Sequence, residues 1–222
     1  MVTRPRPMCS HGPMDWDAAA AQAIARYEGG ETRGLDQRQL TQLANAAWAA
    51  GLNLLMAGRS DESASWLRRA AERYRESWNG APPDSWGRPI AAMKSLLLAG
   101  DGATGGARWA LDAGAADSAS PIGIYAATLA SLVLREDDDA RTLGGTLRDR
   151  DDFPEVVADA VVALAAADHA GYRQAIEDLL DDFEQRTDFL EDVAVADTVL
   201  VLQRLAGDRG LVVELRASPR LP

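Results

Sequence analysis

The sequence predicts an all-α fold, built as stacked antiparallel helical hairpins. Apolar residues recur with the 3.6-residue period of a helix in successive segments between Met14 and Gly207. Turns rich in glycine and proline separate these segments, as expected for helices joined by short connections. β-Branched residues are too few and too scattered for a sheet. An irregular helical bundle is the alternative arrangement of the same helices.

Five helices are predicted in the N-terminal half of the chain. Gly29 and Gly30 end the first one, because glycine is a poor helix former. Ser60 is a candidate N-cap for the third. Asp61 stands in its first turn, where the helix dipole stabilises a negative charge. Pro89 suits the first turn of the fourth. These five helices are expected at about 15–28, 36–57, 61–78, 89–99 and 103–114.

Five further helices are predicted in the C-terminal half. Pro121 and Pro154 each stand where a helix begins, and Gly207 and Gly210 close the last one. The expected positions are about 121–135, 138–148, 154–167, 171–186 and 191–206.

The ends of the chain differ from this helical body. Residues 1–13 hold three prolines and no helical period, so we predict a disordered N-terminal segment. Residues 14–210 are then expected to form a single all-helical domain, with 211–222 as a C-terminal tail. Either Met1 or Met14 fits as the true start. The first residues lack the apolar core of a signal peptide, and a cytoplasmic location is therefore expected.

Composition excludes several classes of protein. With a single cysteine, Cys9, the chain cannot form a disulfide framework, and two histidines make a zinc site improbable, so we expect no metal or cofactor. No run approaches the roughly 18 apolar residues of a membrane span, and no membrane partner is expected.

Charge is distributed unevenly along the chain. The net charge is -11, with residues 1–111 near +2 and residues 112–222 near -13. Lys94 is the only lysine. This composition resembles that of uncharacterised proteins of halophilic archaea, in which hydrated carboxylates maintain solubility in high salt. Codon bias in a GC-rich genome is the alternative explanation.

Small residues are spaced regularly in the stretch GLNLLMAGRSDESASWLRRAA. Gly51, Gly58, Ser63, Leu67 and Ala70 stand at offsets 0, 7, 12, 16 and 19. This spacing resembles the tetratricopeptide repeat, in which small residues lie where two helices cross. Ser63 departs from the pattern by replacing the usual alanine, and the closing proline is absent. Such hairpins have an apolar face that only neighbouring hairpins bury, so the resemblance implies stacking.

The small residue of the second helix recurs along the chain at Gly106, Ala140 and Ala175. The steps are 43, 34 and 35 residues, and the last two match the 34-residue period of the family. The proline-rich loop lengthens the first step. The resemblance therefore covers about residues 40–186.

The resemblance implies a non-enzymatic protein–protein interaction module, either a scaffold or an adaptor. Trp48 and Tyr125 fall three residues before the crossing position of their helices, a point that faces the concave groove in this family. Asn45 and Lys94 are expected to line the same groove, which would hold a protein or peptide. The alternative is that Trp48 and Tyr125 fill the core.

Residues Gly100–Gly106 contain a literal GxGxxG pattern and support a second hypothesis. In a dinucleotide-binding enzyme, such glycines let backbone N–H groups approach a pyrophosphate, and Arg88 would hold a phosphate-bearing substrate. That function requires a strand directly before the glycines. The alternative is a glycine-rich turn between two helices.

The predicted helix 61–78 supports a third hypothesis, a nucleic-acid-associated regulator. Its arginines alternate with Trp66, Tyr74 and Trp78, a mixture that can bind phosphates and stack bases. Glu72 and Glu76 lie in the same turns, which favours a salt-bridged exposed face instead.

Overall fold

The computed structural model describes residues 14–30 and 32–222. The predicted disorder of residues 1–13 lies outside the described residues. The described part of the chain is all-helical and contains no strand, which confirms the all-α prediction. Its α-helices are α1 (Trp16–Gly30), α2 (Gln37–Met56), α3 (Ser60–Glu76), α4 (Gly87–Leu98), α5 (Thr104–Asp112), α6 (Pro121–Leu134), α7 (Asp137–Arg148), α8 (Glu155–Ala165), α9 (His169–Gln185) and α10 (Asp197–Gly207).

One predicted N-cap and one predicted helix start are wrong. The N-cap position of α3 belongs to Arg59, so Ser60 is already inside the helix. The last helix begins at Asp197 rather than near residue 191. Residues 190–192 form a short 3-10 turn there, in which Glu191 and Asp192 adopt positive φ values of 55° and 58°. Two consecutive left-handed residues interrupt α-helical hydrogen bonding, and sequence periodicity does not reveal this change.

Each helix from α1 to α9 packs against the next one along the chain. In addition, α4 contacts α6, and α6 contacts α8, so these three helices lie side by side. Buried apolar side chains form two clusters, an N-terminal cluster that includes Leu43 and Leu67 and a C-terminal cluster that includes Leu129 and Leu164. The two clusters meet at α4, because Met93 belongs to the C-terminal one and Ala92 to the N-terminal one.

The crossing of α2 and α3 depends on small residues. A Cβ atom on Gly51 would lie only 2.6 Å from the Cγ atom of Leu67. The Ser63 hydroxyl donates a hydrogen bond of 2.7 Å to the backbone carbonyl of Gly51. The serine that departs from the repeat pattern therefore fits the crossing, since its hydroxyl finds an acceptor on the facing helix.

The chain after α9 turns back over the preceding helices. Helix α10 packs against α4, α8 and α9, although α4 lies about a hundred residues earlier in the sequence. Its other end is fixed at the α6–α7 junction, where Arg209 donates to the carbonyl of Leu132 at 2.7 Å and pairs with Asp137. We call the adjoining surfaces of α4, α6 and α8 the inner face, and α10 packs against α4 and α8 there.

Residues 211–222 contain no helix or strand but are packed onto the body. Leu211 and Val213 are buried. Arg216 forms an ion pair with Glu184 of α9 at 2.7 Å. The carbonyl of Arg220 accepts a hydrogen bond of 3.0 Å from the backbone N–H of Ala196. The tail and the residues that lead into α10 therefore support each other.

Candidate functional site

An ion pair joins the inner face to α10. The ammonium of Lys94, on α4, lies 2.6 Å from a carboxylate oxygen of Asp197, and both side chains are only 12% exposed. The ammonium also donates a hydrogen bond of 2.9 Å to the hydroxyl of Thr198. A lysine this far from solvent requires a counter-charge. The only lysine of the chain thus lies on the inner face, where Asp197 of α10 supplies its counter-charge.

Tyr125 lies on α6 in the electrostatic field of the same carboxylate. Its ring contacts that of Phe153, with centroids 5.4 Å apart. Burial raises the pKa of the Tyr125 hydroxyl, and the negative charge of Asp197 raises it further. The hydroxyl is buried and has no hydrogen-bond partner among the described residues. It is therefore a neutral donor without an acceptor, a costly arrangement inside a protein.

Asn45 is connected to this region through Tyr74. The Tyr74 hydroxyl donates a hydrogen bond of 2.7 Å to the Oδ1 atom of Asn45. Burial raises the pKa of Tyr74, and the charges of Glu191 and Asp197 add to the effect. The side chain of Asn45 on α2 thus forms a hydrogen-bonded pair with Tyr74 on α3.

Trp48 is 7% exposed and belongs to the N-terminal cluster, which also contains Val193 and Val195. These two valines precede α10, and the 3-10 turn just before them contacts α2. At the edge of this contact, Arg26 pairs with Glu191 at 3.1 Å.

The four predicted groove residues therefore have different surroundings. Lys94 pairs with Asp197, Tyr125 belongs to the C-terminal cluster, Asn45 accepts a hydrogen bond from Tyr74, and Trp48 belongs to the N-terminal cluster. Trp48 and Tyr125 are each 7% exposed and the Lys94 side chain is 12% exposed, so these three side chains do not line an open groove. Sequence reasoning missed Asp197 and Thr198. The signal was a lone carboxylate inside the apolar run AVADTVLVL, together with a lone lysine inside the run IAAMKSLLL.

The segment Gly100–Gly106 follows the helix α4, not a strand. Gly100 closes α4 with a φ of 79°, and Asp101 holds a bidentate ion pair with Arg68 at 2.7 and 2.9 Å. Arg88 lies at the other end of α4, about 18 Å away at 1.5 Å per residue, and donates to Thr41 and Ser77. The strand that a dinucleotide-binding loop requires before its glycines is absent from the described residues. Arg88 does not share a site with the glycines.

The arginines of α3 contact other side chains of the same chain. Arg68 pairs with Asp101, and Arg73 pairs with Glu76 at 2.6 Å. Arg69 stacks over Trp66 and Arg75 over Trp109, each guanidinium carbon lying 4.5 Å from its ring centre. Arg75 also borders a cleft of about 410 Å³ between α3 and α5, which we call the outer cleft. The aromatic side chains beside these arginines are thus covered by them, and stacking on bases would require their rearrangement.

Among the described residues, no three or more His, Cys, Asp and Glu side chains are grouped as metal ligands. The helices described at 14–30 and 32–222 include none with the length and apolar character needed to cross a membrane. In comparisons with known proteins, the chain matches no family model, no curated protein and no solved structure.

Proposed function

We propose that this chain is a non-enzymatic protein–protein interaction module, built as a tetratricopeptide-like stack of helical hairpins. One observation carries the proposal. On the inner face, α4 and α8 accommodate a helix from a distant part of the sequence, and Lys94 of α4 pairs with it. A surface with the shape and charge to hold a helix of its own chain has the properties needed to hold a helix of another.

Three further observations support the stacked arrangement. Gly51 and Ser63 form the close α2–α3 crossing that the repeat spacing predicts. The inner helices α4, α6 and α8 also contact one another in turn. Ala140, the small residue predicted for the α6–α7 crossing, is fully buried.

The proposed function is tested by capture with the tagged full chain from cells that express it naturally. We expect one protein to be retained in stoichiometric amount and to rebuild a complex from purified components, as measured by calorimetry. The tag alone is the control for the capture. Retention of no protein above that control would contradict the proposal. Loss of the retained material after nuclease treatment would also contradict it and would favour the nucleic-acid hypothesis.

A further inference from the structure

The outer cleft lies between α3 and α5 and reaches down to α4, which contributes Ala92 and Leu96 to its lining. Its volume of about 410 Å³ falls within the size range of small-molecule binding sites. Lys94, which pairs with α10, stands two residues from each of them. Two residues turn a helix by about 200°, so the outer cleft and the inner face occupy opposite sides of α4.

The floor of the outer cleft is apolar. Ala71, Ala92 and Trp109 line it and are at most 8% exposed. Leu96 and the buried Gly106 complete the lining between α4 and α5. Because small residues and one packed ring form most of this floor, an apolar group of a ligand can be covered here without displacing a large side chain.

Arg75 supplies a positioned positive charge at one end of the cleft. Its guanidinium carbon lies 4.5 Å from the centre of the Trp109 ring, and Trp78 packs edge-on against that ring at 5.6 Å between centroids. In the described part of the chain, the guanidinium of Arg75 has no ion pair and no hydrogen bond. Stacking thus restricts the position of this cation and leaves its N–H groups available to an anion.

Glu72 supplies a negative charge on the same rim. Residues three apart on a helix have Cβ atoms about 5–6 Å apart, so Glu72 and Arg75 border the same part of the cleft. Arg68, four residues before Glu72, is held by Asp101 through two hydrogen bonds instead. Among the residues described at 14–30 and 32–222, the Glu72 carboxylate has no ion-pair partner. The cleft therefore presents two unpaired charges of opposite sign beside an apolar floor.

From these contacts we propose that the outer cleft binds a small zwitterion with an apolar body, of the class of the apolar α-amino acids. The ligand carboxylate pairs with Arg75, its ammonium pairs with Glu72, and its side chain lies over Ala71 and Ala92. An α-amino acid carries both charged groups on one carbon atom, so both can reach partners that are neighbours on one helix. A simple anion would meet Arg75 but also face the like charge of Glu72. The inference goes beyond the proposed function, because it assigns a ligand to a surface separate from the inner face.

Calorimetric titration of the full chain with L-leucine and with L-phenylalanine tests the inference. We expect saturable binding of at least one of them, with a dissociation constant of about 1 mM or below, which a ligand of about ten heavy atoms can reach. The N-acetyl derivative of the bound amino acid lacks the ammonium, and its amide lacks the carboxylate. Each derivative should bind about tenfold more weakly, since each loses one charged contact.

Three exposed positions on α3 locate the binding. Arg75→Gln and Glu72→Gln should each weaken binding about tenfold. Arg69→Gln is the matched control, because Arg69 stacks over Trp66 at the same 4.5 Å but does not line the cleft, and it should leave the affinity unchanged. In Glu72→Gln the N-acetyl derivative should lose no further affinity, since the contact that it lacks is already gone. Circular dichroism verifies that the three variants fold alike.

Several results would overturn the inference. One is the absence of saturable binding of either amino acid up to about 10 mM. Another is an equal loss of affinity in Arg69→Gln and Arg75→Gln, which would attribute binding to overall charge. Equal binding of the amino acid and its two derivatives would exclude recognition of a zwitterion. A protein retained by the unaltered chain but not by Arg75→Gln, without any amino-acid binding, would identify the outer cleft as a protein-docking surface instead.

Discussion

The α2–α3 hairpin and the α4–α10 contact join helices in two different ways. Gly51 lets α3 approach so closely that Leu67 occupies the space of a missing Cβ atom, and the two helices are separated by only three residues of chain. Helix α10 reaches α4 from about a hundred residues away and holds it through the Lys94–Asp197 ion pair. Size complementarity thus fixes the local hairpin, whereas the long-range contact combines the burial of apolar side chains of α10 with one buried ion pair. The comparison teaches that helices adjacent in the chain can be joined by matched sizes alone, whereas the position of a distant helix is also marked by a paired charge.

The largest expected effect comes from Leu67→Ala, which removes the side chain that fills the α2–α3 crossing. Leu67 is fully buried, so we expect a loss of about 2–5 kcal/mol in the free energy of unfolding. Leu190→Ala is the control, since Leu190 is 54% exposed. Urea denaturation followed by circular dichroism measures both. A Leu67→Ala variant as stable as the control would show that the crossing is not held by size complementarity.

One glycine substitution tests the same crossing, and a second one, in α7, is a control with the opposite expected sign. Gly51→Ala places a Cβ atom against Leu67, so overpacking should destabilise the fold by about 1–3 kcal/mol. Gly145→Ala, inside α7, meets no atom within 4 Å and should stabilise the fold by about 0.5–1 kcal/mol. Thermal unfolding of the two variants side by side is sufficient, and equal shifts would contradict the close approach of α2 and α3.

Acid should weaken the charge-held C-terminal region more than the α2–α3 hairpin. Hydrogen bonds from Arg216 and Ser218 lower the pKa of Glu184 to about 2. Because this folded-state pKa lies below its ordinary value of 4.5, the stabilisation is complete above pH 4.5 and disappears as the pH falls towards 2.

Glu184→Gln removes this contribution at every pH. The stability difference between the unaltered chain and the variant should be about 1 kcal/mol or less at pH 6, because Arg216 is largely exposed, and should vanish near pH 2. Urea titrations at both pH values measure this difference. A difference that persists at pH 2 would show that Glu184 stabilises the fold by something other than its negative charge.

Added salt should change stability least for each interaction. It should stabilise the fold, whereas acid destabilises it. Residues 112–222 carry a net charge near -13, and like-charge neighbours on a helix each destabilise it by a few tenths of a kcal/mol. Screening acts over about 10 Å at 0.1 M salt, so the melting temperature should rise between low and molar potassium chloride. A flat or falling melting temperature would contradict net repulsion and weaken the resemblance to halophilic proteins.

The sequence by itself determined the helices and most of their boundaries. Helical periodicity, glycine turns and prolines at helix starts are local signals, and α1 to α9 lie within a few residues of their predicted positions. The spacing of Gly51, Ser63 and Leu67 likewise predicted a close crossing, because its two helices are neighbours in the chain. Trp48 and Tyr125 were predicted as groove residues from their register in the tetratricopeptide-like repeat, and Asn45 and Lys94 were expected to line the same groove.

Only the tertiary structure decided what covers those residues. The position of α10 depends on an ion pair between residues 94 and 197 and on a left-handed turn at residues 191 and 192. Neither leaves a periodic trace in the sequence, since an isolated lysine and an isolated aspartate have the same local pattern whether they meet or face solvent. Long-range pairing is selected by the burial of the whole chain, and this is why the occupant of the inner face emerged only from the folded structure.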